Sequence, residues 1–123
     1  MKRLGLILLT LIMAACSTGA TTDSAADVVE SYLTAKIEGD REALRPLLCS
    51  AMESQFSREV TSFATVEGAR IEDMQCTRQG DTDVVTCTGT IIATYGTETN
   101  QFPLSSYRVV QEDGEWKWCG ESE

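Results

Sequence analysis

The cysteines are the residues with the most distinctive chemistry in this chain of 123 residues. Cys16 stands alone after an apolar run, whereas Cys49, Cys76, Cys87 and Cys119 all lie beyond residue 48. A thiol can be oxidised to a disulfide, acylated, or used as a metal ligand. No two cysteines form a CxxC pair, and the sequence has no histidine, the side chain that most often binds transition metals and transfers protons near neutral pH. We therefore expect no metal and no other cofactor.

The first 15 residues have the order of a secretory signal. Lys2 and Arg3 precede LGLILLTLIMAA, an apolar run of about a dozen residues that ends in small side chains. The run is too short to cross a bilayer, which takes roughly 20 apolar residues. We predict that residues 1–15 are a signal peptide and that the chain is exported.

The residues around Cys16 resemble the bacterial lipobox, in which two small residues such as Ala14 and Ala15 precede an invariant cysteine. Met13 departs from the Leu, Val or Ile more usual in that family. The resemblance implies that Cys16 carries fatty acyl groups such as palmitate and that residues 16–23 are a lipid-anchored tether. The chain would then lie at the outer face of the cell membrane or at the outer membrane. Ser17, which stands directly after the cysteine where an Asp is absent, resembles the residue found in lipoproteins that are sorted to the outer membrane. The alternative is an ordinary signal that is cleaved after Ala15 and leaves a free thiol.

Composition limits the remaining chain to one small acidic domain. Loss of Lys2 and Arg3 with the signal takes the formal charge from −9 to −11. Nucleic-acid binding is excluded as a function class, because phosphates need Lys and Arg to neutralise them. We expect the protein to contact the membrane through the lipid on Cys16.

Hydrophobic spacing predicts helices in the first half of the domain. Ser24 with Asp27 begins a helix that Gly39 ends. Asp40 caps a short second helix through Leu44, which Pro46 must interrupt. A third helix is predicted after the capping pair Ser50 and Glu53, with one apolar face formed by Met52, Phe56, Val60 and Phe63.

Alternating residues predict strands after Gly68. The expected strands are 69–77, 85–95, 102–111 and 116–119, with turns at 79–82 and 96–100 and a two-residue hairpin at Asp113 and Gly114. A turn centred between Asp81 and Thr82 places Cys76 opposite Cys87, where β carbons lie about 4.5–5.5 Å apart. We predict a disulfide there and a second between Cys49 and Cys119. The other two pairings and free buried thiols are the alternatives.

Two stretches resemble nuclear transport factor 2-like proteins. VVESYLTAKIEGDREALRPLL resembles their first two helices and the Gly-Asp turn between them, and YRVVQEDGEWKWC resembles their closing hairpin. The resemblance implies an α+β fold in residues 24–120, with N-terminal helices packed on a curved antiparallel sheet that forms a cone. The chain resembles small envelope lipoproteins of unknown function with this fold.

Three functions are compatible with such a cone. An enzyme resembling ketosteroid isomerase would use Tyr32, Tyr95 or Tyr107 as donors with an acid such as Asp73. A carrier would hold a small apolar ligand in a cavity whose expected lining is Tyr32, Phe56, Tyr95 and Trp116.

An interaction domain would instead bind an envelope protein, or form a homodimer, through an open sheet face that exposes Tyr107 or Trp118. Trp116 and Trp118 point to one side of a strand, which favours a core or interface stripe over a ligand cage. We expect a non-enzymatic binding or interaction domain with no catalytic residues, and keep the carrier and the enzyme as alternatives.

Overall fold

A computed structural model describes residues 24–122. The predicted signal peptide, the lipidation site Cys16 and the tether lie outside the described residues. Within residues 24–122 no helix has the length and apolar character needed to cross a membrane.

The first two helices are confirmed. Helix α1 covers Ser24–Glu38 and ends at Gly39, whose φ of 63° is the left-handed conformation that glycine adopts without a steric penalty. Helix α2, Arg41–Leu44, is capped by Asp40, which accepts a hydrogen bond of 3.0 Å from the Ala43 amide. A 3₁₀ turn, Arg45–Leu47, follows at the predicted interruption.

The third helix is shorter than predicted. Ser50–Gln55 is a 3₁₀ segment, and only Phe56–Val60 is α-helical, forming α3. The predicted Ser50 cap is wrong, because the Ser50 amide and hydroxyl both donate to the carboxylate of Glu112, at 3.0–3.1 Å. Phe56 and Val60 are buried as expected, whereas Met52 and Phe63 are half-buried.

The sheet has five antiparallel strands, one more than predicted. They are β1 (Glu67–Arg78), β2 (Val84–Tyr95), β3 (Glu98–Pro103), β4 (Ser106–Glu112) and β5 (Glu115–Glu121). Strand β2 pairs with β1 on one side. On the other side of β2, its second half pairs with β3 and its first residues pair with β4. Strand β5 then pairs with β4.

The predicted single strand 102–111 is wrong because the chain breaks after Pro103. Tyr95 pairs with Glu98, so the turn before β3 is tight and β3 begins inside the stretch predicted as a turn. The break does not leave the sheet, since the Leu104 amide donates to the Gly89 carbonyl and the Ser105 carbonyl accepts from the Cys87 amide, both at 2.9 Å.

A β-bulge bends the pairing of β1 with β2. The register shifts between Glu72 and Gln75, and Asp73 adopts a φ of 54° there. Gly89 lies opposite with a φ of 115°, and a β carbon on it would come within 2.8 Å of the Glu72 carbonyl oxygen. Only glycine fits this close approach without a backbone shift.

The structure contains both predicted disulfides. Cys76 pairs with Cys87 in the predicted register, and Cys49 bonds to Cys119 with a Cα–Cα distance of 5.3 Å. Beside the second disulfide, Leu48 forms a parallel bridge with Trp118, so the helical half covers the outer edge of β5. The core lies between α1 and the sheet, and its largest fully buried side chains include Val29, Tyr32, Leu33, Leu44, Val85 and Val109.

Candidate binding cleft

The inside of the cone contains an aromatic stack. Tyr32 comes from α1 and Trp118 from β5, and their rings lie 3.8 Å apart at an angle of 11°. Both are buried, with exposed fractions of 1% and 2%. A stacked aromatic pair adds about 0.5–1.5 kcal/mol beyond the burial of apolar area. The stack therefore occupies the space beside Tyr32 where part of a ligand cavity was expected.

A polar cluster joins the Tyr32 hydroxyl to α3. The hydroxyl donates a short hydrogen bond to Oε2 of Glu59. Lys36, one helical turn after Tyr32, donates to the same hydroxyl at 3.2 Å and pairs with Glu59 at 3.0 Å. All three groups are thus engaged with one another.

The electrostatic environment keeps Tyr32 protonated. Burial raises the pKa of its hydroxyl far above the ordinary value, and the hydrogen bond and negative charge of Glu59 raise it further. Tyr107 is also buried, and burial is the main reason that its pKa is raised; its hydroxyl accepts a hydrogen bond of 3.3 Å from the Ser105 amide. Neither phenol supplies a phenolate near neutral pH.

A cleft of about 580 Å³ lies against this cluster. Its lining is formed by Tyr32, Lys36, Met52, Gln55, Arg58, Glu59, Ser62, Trp118, Gly120 and Glu121. The Arg58 guanidinium has no ion-pair or hydrogen-bond partner among residues 24–122, and Nε1 of Trp118 is buried without an acceptor there. With positive, negative and aromatic groups on its walls, the cleft suits a small polar molecule or a partner's side chains.

The four residues predicted to line one cavity do not lie together. Tyr32 lines the cleft described above, but Phe56 lines a separate hollow with Arg45. Trp116 lines a third, near the start of α1. Tyr95 is at the far end of β2, 38% exposed. Tyr95 and Trp116 lie apart because the end of β2 and the start of β5 are at opposite ends of the sheet.

The other candidates also lie apart. Asp73 is exposed at the β-bulge, away from the interior. Tyr107 and Trp118 are buried, so neither forms an exposed patch on the open sheet face. The exposed aromatic residues among those described are instead Tyr95 and Phe102, whose rings meet edge to face at 6.4 Å.

The acid nearest to Tyr32 was missed in the sequence. Glu59 follows Phe56 by three residues and precedes Val60, so it borders the apolar face of α3. An acid at the margin of a buried stripe is the available signal. Within residues 24–122 no three His, Cys, Asp or Glu side chains are grouped as metal ligands.

Solved structures share this arrangement of helices and curved sheet. A multiply substituted variant whose name carries the NTF2 abbreviation has a TM-score of 0.57 at 13% identity, covering 80% of this chain and 96% of its own. A candidate dehydratase of the NTF2-like family from Streptomyces avermitilis has a TM-score of 0.53 at 16% identity, covering 78% and 92%. A candidate ketosteroid isomerase from Shewanella frigidimarina gives 0.53 at 16%, covering 79% and 91%.

These similarities define the class: the domain has the nuclear transport factor 2-like fold. No protein-family model matches the chain, and no curated protein matches it significantly. At such low identity the likeness concerns the fold and carries no activity with it.

Proposed function

We propose that the protein is a lipid-anchored cell-envelope protein whose domain is a non-enzymatic binding or interaction domain. The observation that carries the proposal is the engaged state of Tyr32, whose ring stacks on Trp118 and whose hydroxyl contacts Glu59 and Lys36. The signal and the lipobox-like sequence before Cys16 support the anchoring.

The contacts of Tyr32 favour binding in the cleft over catalysis by Tyr32 and Glu59. An enzyme of this fold that moves a proton next to a carbonyl needs an acid or base and a donor, both aimed at a substrate. Here the hydroxyl of Tyr32 donates its hydrogen bond to Glu59, and Glu59 also forms an ion pair with Lys36. A bound molecule instead contacts the outside of this cluster, in the cleft beside Arg58.

Blocking the cleft tests this part of the proposal. The full chain purified from its own membranes should carry a small molecule, or a cross-linked envelope protein, detectable by mass spectrometry. Ser62→Trp should abolish that binding, because Ser62 lines the cleft. Ser57→Trp is the matched control, since Ser57 is exposed on α3 and outside that lining. Equal binding by both variants would refute the cleft as the binding site.

The lipid anchor has its own test. Labelled fatty acid should appear on the peptide containing Cys16, and Cys16→Ser should release unlabelled protein from the membrane. Finding the wild-type chain unlabelled and free in the medium would overturn the anchoring.

An enzyme resembling ketosteroid isomerase is the second candidate. One observation favours it: Tyr32 and Glu59 place a phenol and a carboxylate beside a cleft. A steroid ketone that exchanges deuterium at the carbon next to its carbonyl, with exchange lost in Glu59→Gln, would replace the non-enzymatic proposal.

A further inference from the structure

Two arginines hold their charges over one phenylalanine. Arg41 begins α2 and Arg45 begins the following 3₁₀ turn, so they are four residues apart on neighbouring turns. Their guanidinium carbons lie 5.2 and 4.1 Å from the centre of the Phe56 ring. Cation–π contact with this ring therefore positions both groups beside Phe56.

Neither arginine is neutralised by an acid. Among residues 24–122, Arg41 and Arg45 have no ion pair and no side-chain hydrogen bond. Glu53 lines the same hollow as Arg45, about 220 Å³ in volume, without pairing with it.

The chemistry of this arrangement suits an oxyanion. A guanidinium that stacks on a ring through its face keeps the N–H groups of its edge free, and these match two oxygens of a phosphate. Two such groups supply enough positive charge to balance inorganic phosphate or the single negative charge of a phospholipid phosphodiester. We propose that Arg41 and Arg45, oriented by Phe56, form a binding site for a phosphate group.

The position of the site favours the phosphate of a phospholipid headgroup as the ligand. Pro46, next to Arg45, lines the same cleft as Ser24, where the chain enters the domain. Residues 16–23 can span at most about 26–29 Å when extended, so an anchored Cys16 keeps this end near the bilayer. The phosphate site itself does not depend on lipidation; only its lipid source does, so the two proposals fail separately.

The test follows the side-chain Nε–H signals of both arginines by NMR in the full chain. One arm adds inorganic phosphate to the chain in neutral detergent, with sodium chloride at equal ionic strength as the control. The other arm compares nanodiscs of phosphatidylcholine alone with nanodiscs that also contain phosphatidylglycerol, whose phosphate charge is not offset by a choline. Saturable shifts of Arg41 and Arg45 with either ligand support the site, and the arm that produces them identifies the source. Absence of shifts in both arms overturns the proposal.

Variants separate a specific site from net charge. Arg41→Gln with Arg45→Gln should weaken binding about fivefold per arginine, or roughly 25-fold in total. The control, Arg70→Gln with Arg108→Gln, removes the same charge from exposed positions on the strands and should leave the affinity within about twofold. Glu53→Gln should strengthen binding. Equal losses in the two double variants would show a general charge effect and refute the site.

Discussion

Replacing Gly89 by alanine tests the bulge that bends the sheet. The new β carbon would lie 2.8 Å from the Glu72 carbonyl oxygen and 2.9 Å from the Asp73 carbonyl oxygen and from the Met74 Cα. These are backbone atoms, so β1 must move. A side chain at a φ of 115° costs about 1–3 kcal/mol, and overpacking adds about 1–3 kcal/mol. We expect a loss of about 4 kcal/mol, a large share of the roughly 5–15 kcal/mol that stabilises a domain.

Gly120→Ala is the matched control. Gly120 lies in β5 with a φ of 103°, and the nearest atom to its added β carbon is Sδ of Met52 at 3.9 Å. Only the conformational cost applies there, about 2 kcal/mol. Both variants are unfolded in urea with the disulfides intact, and tryptophan fluorescence gives the free energy of unfolding. If Gly89→Ala costs no more than Gly120→Ala, the close approach at the bulge does not carry the energy assigned to it.

Tyr32→Phe removes the hydrogen bond to the Glu59 carboxylate and should lower the free energy of unfolding by about 1.5–3 kcal/mol at pH 7; a loss near zero would mean that the bond adds little beyond hydration. The pKa of Tyr32 is raised in the folded chain above its ordinary value of 10.0. The protonated hydroxyl therefore contributes its full stability below pH 10.0, and this contribution is lost as the pH rises from 10.0 toward the raised pKa. Urea unfolding in alkaline buffers should show a shallower decline for Tyr32→Phe, and parallel declines would contradict this. Replacing Cys49 and Cys119 by alanine opens a crosslink across 70 residues and should cost about 4 kcal/mol, against about 3 for the β1–β2 disulfide, in matched thermal or urea unfolding. The reverse order would show that loop entropy does not dominate.

Local patterns allowed much of the fold to be predicted. The spacing of apolar residues from Val28 to Ile37 determines α1, and Gly39 ends it because the left-handed conformation suits glycine. The pairing of Cys76 with Cys87 depends only on the short turn between β1 and β2, so counting from that turn was sufficient.

Long-range contacts explain what was missed. Ser50 has a capping pattern, but Glu112, 62 residues away, takes its amide and hydroxyl. The break between β3 and β4 after Pro103 does not interrupt the alternating pattern of the sequence. The chain continues beside β2 through the break, where Leu104 and Ser105 keep hydrogen bonds to that strand. Such competition between partners is not visible in a local window.

The candidate site was predicted only in part. Tyr32 was identified, but its partner Glu59 lies 27 residues further on, and its position depends on how α3 packs against α1. The expected cavity residues were grouped by type, whereas Tyr95 at the end of β2 and Trp116 near the start of β5 lie at opposite ends of the sheet. That separation depends on how the strands pair, which residue type does not indicate.

The place where the chain enters the domain determines which end of the molecule is presented when it is immobilised. Ser24 lines a cleft with Gly114, beside the hairpin between β4 and β5. β4 runs past the first residue of β2 to reach that hairpin, and Gly96 lies at the other end of β2. A molecule attached rigidly to a bead or sensor chip through Ser24 therefore displays Tyr95 and Phe102 to the solution, whereas a random amine coupling would hide them in part of the population.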